Sequence, residues 1–187
     1  MSDAVTALDG ATFEGDLTLR DAGLTGMLTL RGDLGDGALM AAVTALTGTD
    51  FPAQGRICAT DGKAAAWMSP DELLILLPYA EADAAAAQLS AKLAGQHHLC
   101  VNVSDARAYM QLRGDGAREI LAKLVPADLA PGRFGPGQFR RTRLGEVATA
   151  LWMPQEDAFD LICFRSVGSY VFAQVKTAIE AGRVGFF

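Results

Sequence analysis

The sequence predicts an α+β fold made of a duplicated β-α-β-β-β-α unit with pseudo-two-fold symmetry. Two observations carry this. Matched segments recur in the same order roughly eighty residues apart. The elements also agree with these matches, each copy reading as a strand, a glycine-rich turn, a helix, a Pro/Gly-rich loop, three strands and a closing helix.

The matches run as follows. Leu28-Thr29-Leu30-Arg31-Gly32-Asp33 is answered 82 residues later by Met110-Gln111-Leu112-Arg113-Gly114-Asp115. Gly35-Asp36-Gly37-Ala38 is answered by Gly114-Asp115-Gly116-Ala117 at 79 residues, which implies a short insertion in the first copy. Phe51-Pro52-Ala53-Gln54-Gly55 corresponds to Phe134-Gly135-Pro136-Gly137. Ala65-Ala66-Trp67-Met68 corresponds to Ala150-Leu151-Trp152-Met153 at 85 residues, making Trp67 and Trp152 equivalents. Residues 1–24 precede the repeat as an N-terminal extension. Residues 25–187 form a single domain of two repeats, 25–95 and 96–187.

Each copy opens on a short strand ending at Leu30 or Leu112, followed by a glycine-rich turn. Asp36 and Asp115 in those turns are expected to cap a helix, since a short carboxylate accepts from the free N–H groups of a first turn. The first helix covers Gly37–Thr47, with Leu39, Val43 and Leu46 on one face and Gly48 as its stop. Its counterpart places Ala117, Leu121 and Leu124 together and ends at Pro126. Strands follow at Gly55–Thr60, Ala64–Met68 and Leu73–Leu77, and at Phe139–Leu144, Glu146–Met153 and Phe159–Phe164. Asp61-Gly62 and Leu144-Gly145-Glu146 supply their hairpin turns. A helix closes each copy. Ala82, Ala86, Leu89 and Leu93 line one, and Val167, Val171, Val175 and Ile179 line the other.

Half of the 187 residues are hydrophobic and a fifth are charged, a balance that suits a packed core. Met-Ser-Asp-Ala-Val at the start lacks the pattern of a signal peptide, and the apolar run Leu73–Leu77 is strand-sized. The expectation is a cytoplasmic chain with no membrane association. The net charge of −6 is uneven: residues 1–95 hold 13 acids and 5 bases, residues 96–187 hold 9 acids and 11 bases. An acidic first half excludes nucleic acid as the main partner.

No reactive constellation is present. Cys58, Cys100 and Cys163 are scattered and read as buried thiols. His97 and His98 are adjacent and read as loop residues, so neither a metal site nor a general base is assigned. Asp33, Asp36 and Asp115 read as caps, and Trp67 and Trp152 as core. Arg31 and Arg113 recur between the copies and are expected to pair locally. Arg133, Arg140, Arg141 and Arg143 gather around the Pro131–Gly137 loop. They are either charges that guard an exposed strand edge or a patch for an anion or an acidic partner.

The second copy carries more specific sequence: Val101-Asn102-Val103-Ser104-Asp105-Ala106-Arg107, then Met110-Gln111-Leu112-Arg113-Gly114, then Ala117-Arg118-Glu119-Ile120-Leu121-Ala122-Lys123. Asp128-Leu129, Pro131, Phe134, Pro136-Gly137-Gln138, Arg141-Thr142, Asp157-Ala158-Phe159-Asp160-Leu161 and Arg165-Ser166 complete it, with Trp67-Met68-Ser69-Pro70-Asp71-Glu72-Leu73-Leu74 upstream. This pattern, over about residues 25–182, resembles the gamma subunit family of heterotetrameric sarcosine oxidase. More distantly it is similar to the folate-binding domain of the glycine-cleavage aminomethyltransferase group, which implies a folate-binding-domain architecture. In that group a folate-contacting aspartate follows a glycine in the central hairpin; the matching stretch here, Gly145-Glu146-Val147-Ala148-Thr149-Ala150, has none.

The resemblance implies a non-catalytic structural subunit with alpha, beta and delta partners. FAD, FMN, NAD and tetrahydrofolate would be held by the partner subunits and none by this chain. The complex would oxidise sarcosine to glycine and pass the one-carbon unit to tetrahydrofolate. Residues 1–24 and the tail Val184-Gly185-Phe186-Phe187 would then meet partners. A separate reading is a homo-oligomeric scaffold with no ligand, in which that surface, exposed in the isolated chain, drives self-association. A stand-alone folate-binding or aminomethyltransferase-like protein is the alternative.

Overall fold

The strands and helices read from the sequence form in the predicted order. The structure, a computed structural model, describes residues 4–185 and 187. β1 (Thr12–Glu14) and β2 (Thr18–Asp21) lead into β3 (Thr25–Arg31), α1 (Gly37–Thr47), β4 (Ile57–Thr60), β5 (Lys63–Ser69), β6 (Glu72–Pro78) and α2 (Ala82–Lys92). β7 (Leu99–Asn102) then leads into β8 (Arg107–Arg113), α3 (Ala117–Ala122), β9 (Phe139–Leu144), β10 (Val147–Trp152), β11 (Ala158–Phe164) and α4 (Gly168–Glu180). The succession β-α-β-β-β-α thus occurs twice along the chain.

The strands form two antiparallel sheets, ordered β4-β5-β6-β3-β7 and β1-β2-β8-β11-β10-β9. Two compact units result. One is Leu24–Ser104; the other joins the residues up to Gly23 to those from Asp105 onward. This differs from the division read in the sequence, a separate extension 1–24 and a boundary at 95/96. Leu17 and Leu19 are buried and belong to the core of the second unit, and β2 pairs with β8 in register, Leu19 opposite Leu112. β7 likewise pairs with β3, Val101 opposite Thr29. Short strands whose partners lie far along the chain carry no local signature, which is why both escape a sequence reading. Residues 1–3 and Phe186, which the sequence reading assigned to partner contacts, lie outside the described residues.

Each unit packs its helices on one face of its sheet. In Leu24–Ser104, Leu28, Leu30, Leu73, Ile75 and Leu77 meet Leu39, Val43, Ala85 and Leu89. In the other unit, Met110, Leu112, Phe159 and Leu161 meet Ile120, Leu121, Val171 and Val175. Burying each of these larger side chains contributes roughly 1.5–3 kcal/mol. β6 and β11 are buried along nearly their whole length, on both faces.

Local chemistry sets the junctions. Asp36 caps α1, its carboxylate accepting from the N–H groups of Ala38 (2.7 Å) and Leu39 (2.9 Å), and Gly48 ends the helix in a left-handed conformation. Those two bonds hold the Asp36 carboxyl below its ordinary pKa. Asp115 does not repeat the role. Gly116 occupies the cap position of α3 with φ 88° and no side-chain bond, and Asp115 pairs instead with Arg183 (2.8 Å). Asp61 and Gly62 both have positive φ, 46° and 76°, and close the two-residue β4–β5 hairpin with Thr60 opposite Lys63.

The two tryptophans are not equivalent. Trp67 lies opposite Leu73, a residue of the helix-facing core. Trp152 lies opposite Asp160, between Phe159 and Leu161, and so on the other face. The backbone agrees: Trp67 N–H donates to Arg56 O (3.0 Å), and it is Met153 N–H that donates to Gln138 O (3.3 Å). The sheet register is one residue off the sequence match, and a one-residue slip exchanges the faces. A β-bulge between Trp67 and Ser69 breaks the β5–β6 register beside it.

Arg118, with only 13% of its side chain exposed, anchors the long α3–β9 connection. One guanidinium nitrogen donates to the carbonyls of Leu129 and Phe134; the other reaches Met153 Sδ and Glu156 (both 3.4 Å). Arg118→Ala, which leaves two carbonyls without their donor, should destabilise the chain by about 3 kcal/mol in urea unfolding. Arg118→Lys should recover part of the loss, because an ammonium lacks the fork that spans both carbonyls. Asp36→Ala should lower the unfolding midpoint at neutral pH. A depressed carboxyl stabilises above its unfolded pKa of 3.8, and that stabilisation fades as the pH falls through the lower folded value, so wild type and variant should converge in strong acid.

Candidate functional site

The arginine group does not converge on a point. β9 is the last strand of its sheet, and side chains alternate along it. Arg140 lies opposite Leu151 of the helix-facing core. It therefore projects to the helix side, where its Cζ sits 5.8 Å from the Phe134 ring centroid. Arg141 and Arg143 project to the opposite face. Arg133 is exposed in the preceding loop, next to the Phe134 that Arg140 covers. All four side chains are exposed. The strand is thus charged on both faces along an outer edge, a shape suited to guarding that edge or meeting an acidic surface more than to enclosing one anion.

On the same sheet, away from the helices, lies a polar cluster that the sequence reading did not single out. The Asp160 carboxylate is only 4% exposed. It accepts from the Tyr109 hydroxyl (2.7 Å) and from the Arg113 guanidinium, and Arg113 also donates to the carbonyls of Leu112 (3.0 Å) and Phe159 (2.6 Å). Tyr109 lies 5.5 Å from Trp152, and Phe139 stacks on Trp152 at 5.8 Å and 22°. Burial, then the Asp160 charge and hydrogen bond, push the Tyr109 phenol far above its ordinary pKa. The available signal was an acid inside the apolar run Ala158–Phe164: a buried charge requires a partner. These bonds fasten β8 to β11.

In the unit Leu24–Ser104, an open cleft of about 610 Å³ is lined by Arg31, Gly32, Asp71, His97, His98 and Leu99. Arg31 binds Asp71 (3.5 Å) and the buried Glu72 (2.7 Å). Both recurring arginines therefore pair with acids near the adjacent strand, Arg31 across β3–β6 and Arg113 diagonally across β8–β11. Their neighbours also match: Gly32 N–H donates to Asp71 O (3.0 Å) and Gly114 N–H to Asp157 O (2.9 Å). His97 is exposed, and His98 Nδ1 meets Gln96 O (3.1 Å). Asp33 accepts from Gly35 N–H (2.9 Å). Among the described residues no three His, Cys, Asp or Glu side chains lie where they could share a metal ion. Burial pushes the thiols of Cys100 and Cys163 up to about 11 and raises Cys58. At neutral pH they are thiols and not the nucleophilic thiolates. No helix among the described residues is long and apolar enough to cross a membrane.

Residues 31–180 match the sarcosine oxidase, gamma subunit family. The sarcosine oxidase subunit gamma of an Arthrobacter species is 34% identical over 136 residues, which are 72% of this chain and 64% of that protein. The chain thus spans just under two thirds of that relative. The subunit gamma of Corynebacterium sp. (strain U-96) is 33% identical over 163 residues, 83% of this chain and 77% of that protein. Among solved structures, the heterotetrameric sarcosine oxidase from Corynebacterium sp. U-96 in complex with pyrrole 2-carboxylate matches with a TM-score of 0.82 at 28% identity, covering 94% of this chain and 91% of that one. The glycine cleavage system aminomethyltransferase T from Bartonella henselae shares the fold, with a TM-score of 0.59 at 12% identity over 83% of this chain and 44% of that one.

The Tyr109 phenol should stay protonated where an ordinary tyrosine ionises. The alkaline rise in absorbance at 295 nm up to pH 11 should therefore be the same in wild type and Tyr109→Phe while both remain folded. A raised folded pKa means the unfolded chain loses its proton first, so the stability that Tyr109 contributes should be intact below about pH 10 and decline above it.

Proposed function

Because the chain belongs to the sarcosine oxidase gamma subunit family, we propose that it is the non-catalytic gamma subunit of a heterotetrameric sarcosine oxidase, with a structural role in assembly. The observation that carries this reading is the match of 94% of the chain to nearly the whole of one chain of a heterotetrameric enzyme. The partners are the alpha, beta and delta subunits. FAD, FMN, NAD and tetrahydrofolate belong to those partners, as does the oxidative demethylation of sarcosine to glycine with transfer of the one-carbon unit to tetrahydrofolate.

The interior supports an architectural role. Arg113, Arg118, Asp160 and Lys123 are engaged in fastening strands, loops and helix ends. Exposed Val5 (57%), Val184 (53%) and Phe187 (53%) offer apolar surface toward the two ends of the chain for a partner to cover. The two β-α-β-β-β-α successions are read as a duplication related by a pseudo-two-fold axis, within a folate-binding-domain architecture. The residues present do not fit a folate. The hairpin tip is Gly145-Glu146 where the aminomethyltransferase group places an aspartate after the glycine, and on the sheet face away from the helices the rings of Tyr109, Trp152 and Phe139 pack together.

Co-expression with the alpha, beta and delta subunits should give a complex that holds this chain in stoichiometric amount through affinity capture of alpha and gel filtration at near-physiological salt. Recovery of the other three subunits without it would end the assembly reading. The alternative, a stand-alone folate protein, predicts heat on titrating the isolated chain with tetrahydrofolate; the assembly reading predicts none.

A further inference from the structure

The two sheets differ at one place. β2 lies beside β8 as β7 lies beside β3, but the sheet continues from β2 to β1 and stops at β7. β1 covers the outer edge of β2 antiparallel, with Phe13 opposite Leu19. Among the described residues no strand covers the outer edge of β7. Val103 N–H donates to Met27 O (2.8 Å) while Met27 N–H donates to Ser104 Oγ (2.9 Å); the first bond marks Val103–Met27 as a bonded position, and antiparallel alternation makes Val101–Thr29 and Leu99–Arg31 bonded positions too. Cys100 and Asn102 therefore turn their backbone N–H and C=O outward.

The side chains are placed to receive a strand. Leu99 and Val101 are 51% and 40% exposed, on the face away from α1 and α2. Cys100 packs on the helix-side core, and Asn102 Nδ2 holds Asp83 (2.7 Å). Leu99 also forms one wall of the 610 Å³ cleft with Arg31, Asp71, His97 and His98. Arg31 there is paired with two carboxylates, and residues 24–104 carry eight acids against four bases. That charge disfavours a second copy of this chain at the same edge and favours a basic segment.

We propose that the outer edge of β7 accepts an extended segment of a larger subunit of the complex, laid antiparallel as β1 lies on β2. Its alternate apolar side chains cover Leu99 and Val101, and a basic side chain enters the cleft. Backbone bonds to Cys100 and Asn102 hold the segment, and the apolar side chains and the acidic balance of residues 24–104 select it. The inference rests on the assembly reading above.

The test is amide hydrogen exchange on the assembled complex and on the isolated full chain, with two variants. Cys100→Pro removes an outward N–H without touching the β3 ladder; Val101→Glu places a charge under the proposed apolar cover. Expected are fast exchange at Cys100 and Asn102 in the isolated chain, protection of both in the complex, and at least tenfold weaker capture of either variant by the other subunits. If Cys100→Pro does not fold, Val101→Glu and the exchange data decide. Unchanged exchange at residues 99–102 on assembly, with Val101→Glu captured like wild type, overturns the inference and leaves the assembly reading standing. Protection that grows with concentration of the isolated chain identifies a second copy as the occupant and also overturns it. Failure of the wild-type chain to join the complex removes the assembly reading and this inference with it.

Discussion

A strand inside a sheet needs a hydrogen-bonding neighbour on both edges, and that requirement shapes this protein. β3 and β8 each begin a run of elements whose last strand, β6 or β11, returns to pair with one edge. The other edge must be filled from elsewhere, and the filler comes each time from the segment that introduces the opposite succession. β2, which precedes β3, pairs with β8; β7, which precedes β8, pairs with β3. The discontinuous make-up of the second unit follows from this reciprocal arrangement.

Charge inside the protein is used as fastening. The Asp160 carboxylate joins β11 to Tyr109 and Arg113 on β8. The Arg118 guanidinium pulls the α3–β9 connection onto the core. Just before, within and just after α3, Asp115, Glu119 and Lys123 meet Arg183, the N–H groups of Val184 and Gly185, and the carbonyls of Ala178 and Gly182 respectively. A short helix thereby holds the end of α4 and the residues that follow it.

Much of the fold was legible. Leu28–Leu30 and Met110–Leu112 alternate, Leu39, Val43 and Leu46 follow the helical period, and Asp36 and Gly48 bracket α1 with their ordinary capping chemistry. What was hidden depends on distance or register. The four-residue strands β2 and β7 have no meaning without partners far along the chain. The Trp67–Trp152 match fails because the sheet register is one residue off the sequence match, which puts the two rings on opposite faces. Asp115 resembles Asp36 in sequence, yet Gly116 takes the cap and a remote arginine claims the carboxylate. The arginine group of β9 reads as a cluster along the chain, and strand alternation divides it between two faces. The Asp160 cluster was signalled only by an acid within an apolar strand.

The pairing of β2 with β8 also has a consequence for the order in which the chain matures during translation. Arg20 and its partner Gln111 are 91 residues apart, while Leu24–Ser104 is continuous. At a synthesis rate of about 5–20 residues per second, the early hairpin leaves the ribosome roughly 5–20 s before its docking strand. The contiguous unit can close in that interval. The hairpin carrying Leu17 and Leu19 must wait with its apolar side uncovered until Met110 and Leu112 emerge to pack beside it.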